Sequence, residues 1–239
     1  MLTLMTVNLN YRKDTYGPWE QRKRALLDLI RDVHPNVVAL QAVDGAGDQR
    51  SQAQELAEDT GYLTAVFAAA DVQTRQGSAF LLDRPAFQVE TQAVARHPED
   101  EDSTARILLG VRVALNREGV TGWIVNGHFS WIPAQNQRHI AQAREFMQRL
   151  GGAVVLMGDF NAAPTHAGPA ELARHGLVDC WLQQRSDDPG YTFSSDQPRT
   201  RIDYIWVDPH SARVQEIHTA PGAGPVLSDH RALIATLET

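Results

Sequence analysis

Short apolar runs, separated by polar turns and interrupted by a few helical stripes, set the pattern of this chain. Residues 2–9 and 37–41 read as strands, and between them Trp19, Leu26, Leu29, Ile30 and Val33 recur near one helical face. Strand, helix, strand is therefore the opening unit, with Pro18 ahead of the helix and Pro35 closing it. Further strands are expected at 63–69, 78–83, 87–95, 106–115, 120–129, 153–158, 202–207, 212–219 and 231–237. A second helix is expected over 134–150, where Ile140, Ala143, Met147 and Leu150 recur at helical spacing before Gly151-Gly152. The polar stretch 96–103 predicts a solvated loop, and 220–227 predicts another that delivers Ser228-Asp229-His230. Many strands with few helices predict an α/β (α+β) sandwich of two packed sheets flanked by helices. No repeat or composition break divides the chain, so one domain over 1–239 is expected.

A chain of 239 residues, 43% of them hydrophobic, can bury a sizeable core. Its apolar runs reach roughly four to six residues, far below the roughly 18–20 a membrane helix needs. With no basic start, long apolar middle or small-residue cleavage site near Met1, the expectation is a cytoplasmic protein without stable membrane association. Nothing marks an obligate protein partner. The single cysteine, Cys180, forms no internal disulfide and lies in a buried-type stretch. A net charge of −7 argues against nonspecific electrostatic binding to nucleic acid. Local arginines and a metal ion can still make one cleft attractive to phosphate.

Chemistry concentrates where apolar runs end. The run through Val155-Leu156-Met157 leads into Gly158-Asp159-Phe160-Asn161, so Asp159 and Asn161 project to one side if the chain stays extended. Such a carboxylate can accept a proton from water while the amide orients it; a strand-terminating turn fits the same residues. Asn126 and His128 repeat the two-residue spacing after Trp123-Ile124-Val125. Asp203 could fix the tautomer of a cleft histidine or serve as a structural ion pair. In Ser228-Asp229-His230, a protonated His230 could steady a phosphoryl oxygen and Asp229 could hold metal-bound water or an imidazole; an exposed turn is the alternative. Asn8 ends the first strand. Five polar strand ends together point to one shared site.

These segments resemble those of the endonuclease/exonuclease/phosphatase superfamily over essentially the whole chain. Trp19, Arg22, Gly77-Ser78-Ala79-Phe80-Leu81, Arg106 and Gly190-Tyr191-Thr192-Phe193 also fall where that family has similar features. The resemblance implies a four-layer sandwich and a divalent metal, Mg²⁺ or Mn²⁺, at the strand-end rim. It implies that Asp159 activates water, Asn161 orients it, His230 and His128 stabilise phosphoryl oxygens, and Asp203 orients His128. Asn8 and Asp229 would sit around the metal, directly or through water, and Asn126, Arg106 and Arg201 would contact substrate. The family pattern after Val37-Val38-Ala39-Leu40 is Gln-Glu, the Glu being the principal metal ligand, whereas this chain has Gln41-Ala42. Mg²⁺ is commonly held by only one or two carboxylates, so Ala42 predicts inactive or impaired hydrolysis. The expected activity is hydrolysis of phosphate esters, with nucleic acid as the favoured substrate, Arg75 and Arg138 as further phosphate contacts, and Trp131 as either a stacking surface or a buried loop anchor. A lipid or small-molecule phosphoesterase, or a non-catalytic protein binding a phosphate-containing ligand, are the alternatives.

Overall fold

A computed structural model describes residues 1–45, 50–98, 101–115, 121–152, 155–221 and 226–238. The parts of the expected loops at 96–103 and 220–227 that fall on 99–100 and 222–225, and the starts of the expected strands at 120 and 153–154, lie outside the described residues.

The first sheet contains β1 (Leu2–Asn8), β2 (Val37–Asp44), β3 (Leu63–Ala69), β4 (Gln76–Asp83), β11 (Arg213–Ala220) and β12 (Ala232–Glu238), in the order β11-β12-β1-β2-β4-β3. The second contains β5 (Phe87–Arg96), β6 (Ile107–Leu115), β7 (Thr121–His128), β8 (Val155–Asp159), β9 (Val178–Asp179) and β10 (Asp203–Val207), ordered β5-β6-β7-β8-β10-β9. Among the described residues each sheet has one parallel pair, β1 with β2 and β7 with β8. A parallel pair needs a crossover, supplied by α1 (Trp19–Val33) and α3 (Pro133–Arg149). These are the two helices whose apolar stripes the sequence displays.

Among the described residues three shorter α-helices, not expected from the sequence, complete the set. α2 (Gln52–Thr60) starts at a capping box between Ser51 and Gln54, but it buries only Gln52, Ala53, Leu56 and Ala57. α4 (Ala167–Arg174) buries Gly168, Pro169 and Leu172, and α5 (Cys180–Gln184) is little more than one turn.

Packing forms four layers. Leu4, Val37, Ala39 and Phe80 of the first sheet meet Leu109, Val111, Val155 and Met157 of the second in a central core. Trp19, Leu26 and Ile30 of α1, with Leu56 of α2, close the outer face of the first sheet over Met5, Val7, Val38 and Leu40. Ile140, Ala143, Phe146 and Met147 of α3 close the second over Val125 and Leu156. Among the described residues, no helix is long and apolar enough to cross a membrane.

The stretch 96–103, expected to be solvated, turns inward at two described residues. His97 and Asp102 are buried, His97 stacking on His139 and Asp102 pairing with Arg106.

Candidate active site

Strand register brings the rim together. His128 and Asp159 are partners across the parallel β7/β8 pair, and Asp203 faces Asp159 across the antiparallel β8/β10 pair. Asn8 lies opposite Gln41 at the same end of the first sheet, and His230 precedes β12, whose Leu233 pairs with Thr6. β8 lies close against β7 because position 158 is glycine at φ +140°; a Cβ there would stand 2.0 Å from the Gly127 carbonyl oxygen. The backbone is strained around this rim. Asn10, Tyr11, Ala42 and Asn161 have φ of 52°, 54°, 51° and 49°, a region uncommon for side chains other than glycine and enriched at functional sites.

Asp159 is the hub. Its Oδ2 accepts from Asn8 Nδ2 at 2.8 Å and Asn161 Nδ2 at 3.2 Å, and His128 Nε2 and His230 Nε2 stand 3.6 and 3.8 Å away. Its Oδ1 accepts from the Asn161 backbone N–H at 2.8 Å. Asp159, His128 and His230 are each at least nine-tenths buried, while Asn161 and Asp229 at the rim are half-buried.

Burial pushes the Asp159 carboxyl upward to about 6, against the opposing pull of His230. For His230, burial works against the charged ring, but the attraction of Asp203 and Asp159 and the hydrogen bond to Asp203 outweigh it, and the net shift is upward to about 10. His128 moves the other way: burial, then the charges of Arg106 and His230, hold it well below the ordinary histidine value. At neutral pH the pocket therefore holds one imidazolium and one neutral imidazole.

Several assignments change. Asp203 orients His230, with Nδ1 to Oδ2 at 2.9 Å, in place of the expected His128. His128, being neutral, offers an N–H at most and no charge. Asn126 is fully buried between the sheets, its Oδ1 accepting from Gln41 Nε2 at 2.8 Å and its Nδ2 donating to the Leu40 and Ala79 carbonyls. Both amide protons are engaged and no part of the side chain reaches the surface for substrate. Arg201 is also removed from the cleft: it forms a buried two-pronged pair with Asp179 at 3.1 and 2.7 Å and stacks on Tyr204. Arg75 and Arg138 are exposed, on the β3–β4 turn and on α3. Arg106 fits better. Its Nε donates to Asp102 at 2.9 Å, its buried Nη1 has no hydrogen-bond partner, and its charge is felt at His128 and Asp159. Trp131 is 64% exposed, so it is not a buried loop anchor.

Ala42 sits in a β-bulge, where Gln41 and Ala42 together oppose the single Ser78 between the Leu40–Ala79 and Val43–Gly77 pairs. Its carbonyl accepts from the Tyr11 N–H at 2.7 Å. Bulges re-aim side chains, and this one presents a methyl where the resemblance implies a carboxylate. Asp159, Asp203 and His230 bring one ligand atom each within 4.8 Å of one another, but Asp203 and His230 hold each other and Asp159 is engaged by Asn8 and Asn161. Asn8 Oδ1 already accepts from the Asn10 N–H, and Asp229 Oδ1 from Ser228 Oγ. Mg²⁺ demands near-octahedral hard oxygen donors, and these residues fall one carboxylate short of such a cradle.

The resemblance marks Arg22 without giving it a role, and the sequence reading does not single out Asn136; the structure shows both holding loops. Arg22, 1% exposed, donates to the carbonyls of Leu9, Tyr11, Lys13, Gly17 and Leu227, so the segments beyond Asn8 and before Asp229 hang on one guanidinium. Asn136 Nδ2 donates to the Ser130 and Phe160 carbonyls, joining the loops after His128 and Asp159. The available signal was a polar residue inside an apolar stripe, Arg22 between Trp19 and Leu26 and Asn136 one turn before Ile140.

No curated protein sequence matches the chain. Its fold is similar to an endonuclease/exonuclease/phosphatase from Bacteroides vulgatus, at 20% identity and TM-score 0.85 over 99% of this chain and 98% of that one. It is also similar to the Bacteroides thetaiotaomicron mannosyl-6-phosphatase, at 19% identity and TM-score 0.83 over 100% of both chains. D. rerio TDP2 complexed with single-strand DNA product aligns at 20% identity and TM-score 0.79 over 100% of this chain and 99% of that one. Likeness at this level of identity speaks for the fold alone. The endonuclease/exonuclease/phosphatase family model matches residues 5–230, and the chain belongs to that family.

Proposed function

We propose that the cleft is a phosphoester hydrolase site of the phosphodiesterase type, acting on nucleic acid, whose turnover is impaired by Ala42. The observation that carries this reading is the ring of Asn8, His128, Asn161 and His230, from four separate segments, around the single oxygen Asp159 Oδ2. Ionised Asp159 accepts the proton of an attacking water on the side held by Asn161. Protonated His230, fixed by Asp203, donates to one non-bridging phosphoryl oxygen, and a neutral His128 N–H reaches another. The unpaired Nη1 of Arg106 supplies a further charged donor. Phosphoryl transfer relies chiefly on positioning and charge neutralisation, and Arg106 and His230 provide only part of that. A divalent cation would supply the missing charge neutralisation, but with Ala42 in place only Asn8 and Asp229 would remain, of the positions the resemblance implies, to hold it.

The test is Ala42→Glu, assayed with Mg²⁺ or Mn²⁺ on plasmid DNA, single strands, RNA, abasic duplex, sphingomyelin and sugar phosphates. The variant is expected to gain metal-dependent hydrolysis of a nucleic-acid substrate, and adding Asp159→Ala is expected to abolish it. Hydrolysis confined to sphingomyelin or sugar phosphates would move the substrate class to lipid or small-molecule esters. Retained phosphate binding without turnover on any substrate would refute the enzyme reading in favour of a binding protein, the alternative that Ala42 supports.

A further inference from the structure

Beside the Asp159 ring lies a hollow of ≈150 Å³ that shares one wall, Asn161, with it. Its other walls include Trp131, Pro133, Ala162 and His166, and its surface is mainly carbon. The indole is 64% exposed although the backbone around it is pinned. On one side, Ser130 is fully buried, its Oγ accepting from the Ile132 N–H and its carbonyl from Asn136. On the other, Pro133 opens α3 at the position where a fixed φ suits a helix start. A large ring left in water on a rigid loop forgoes the burial that an indole ordinarily gains.

We infer that Trp131 and this hollow form a stacking shelf for the nucleobase of a nucleoside phosphoester whose phosphate sits at Asp159; the inference rests on the phosphoester reading above and deepens it. Asn161 supplies the connection, since it lines the hollow and its amide also bonds Asp159 Oδ2. Asn161 and Trp131 line the same hollow, so a substituent carried past Asn161 enters the space beside the indole. Pockets for whole drug-sized ligands run to roughly 300–1,000 Å³, so this hollow takes one ring system, with the sugar and phosphate outside it. A planar base needs mainly a π-face and a few edge donors. Gln137 and His166, which also line the hollow, can meet the edge of a base whose face lies on the indole.

The test uses calorimetric titration of the full chain with inorganic phosphate, ribose 5-phosphate, mannose 6-phosphate and adenosine 5′-monophosphate. Base–aromatic stacking corresponds to roughly 5- to 150-fold in affinity. Adenosine monophosphate is expected to bind tighter than ribose 5-phosphate by a factor in that range and to quench indole fluorescence. Trp131→Ala should bring the two ligands to equal affinity, and Trp131→Phe should restore most of the gap. Equal affinities in the unmodified chain, a gap that survives Trp131→Ala, or tightest binding by mannose 6-phosphate would each overturn the shelf while leaving the phosphate site standing. If none of the four ligands binds, the phosphoester reading falls and the shelf falls with it.

Discussion

Asp203→Asn removes one charge from the pocket while keeping its shape, and its consequence can be followed through pH. Asp203 Oδ2 lies 2.9 Å from His230 Nδ1, and the folded His230 is raised from the ordinary histidine value of 6.5 to about 10. A group raised in the folded state contributes stability in full below its unfolded pKa and loses it as pH climbs through the folded one. At about 1.4 kcal/mol per unit, the span from 6.5 to 10 corresponds to on the order of 5 kcal/mol, present at pH 6.5 and gone by about pH 10. Without Asp203 the strongest attraction is lost while burial still opposes the charge, so the ring gives up its proton at lower pH than in the parent. The stability gap between parent and variant should therefore be largest near pH 6.5 and shrink towards pH 10, by at most about 1.4 kcal/mol per pH unit. Asp159, raised to about 6, changes charge below this window. Urea unfolding at half-unit intervals measures the gap, and imidazole ¹⁵N shifts follow the ring directly. A gap that stays constant from pH 6.5 to 9.5, or a His230 that keeps its proton at pH 9 in the variant, would refute the reasoning.

Asp179→Ala should strand the Arg201 guanidinium, 1% exposed, at a cost of about 3–5 kcal/mol. For a chain of this length that is roughly 6–20 °C in Tm. An Asp179→Leu, Arg201→Met pair should recover most of it in a thermal melt, and a double variant as weak as the single one would contradict the account. Arg22→Met should orphan the two buried carbonyls of Leu9 and Leu227, costing about 2–6 kcal/mol at about 1–3 each. Hydrogen exchange should then quicken at the amides of residues 9–13 and not in β7 or β8; uniform quickening would argue against a local clamp.

The fold was legible where burial is periodic. α1 and α3 run 15 and 17 residues, long enough for an apolar stripe to recur over several turns, and the strands alternate or run apolar, whereas α2 and α4 have 9 and 8 residues, too few turns for the period to repeat. The site was legible as polar residues closing apolar runs, and Asp159, Asn161, His128, Asp203 and His230 do converge. What failed was depth and partnership. Asn126 precedes His128 by two residues, about 7 Å further into the strand, and that step moves it from the rim to the seam between sheets. Arg201 and Arg106 look equivalent in sequence, yet their positions depend on which carboxylate lies nearby, Asp179 for one and Asp102 for the other. Which histidine Asp203 meets depends on the geometry at the start of β12, which no local pattern encodes.

Asn8 and Asp159 are 151 positions apart and belong to opposite sheets, yet a 2.8 Å hydrogen bond joins them. Whatever anion settles among Asn8, His128 and His230 grips both halves of the molecule at once, like a rivet through two plates. By mass action it favours only the assembled sandwich. A chain with one sheet formed and the other still open has nowhere to seat that guest, so occupancy of the cleft doubles as a readout of completed folding.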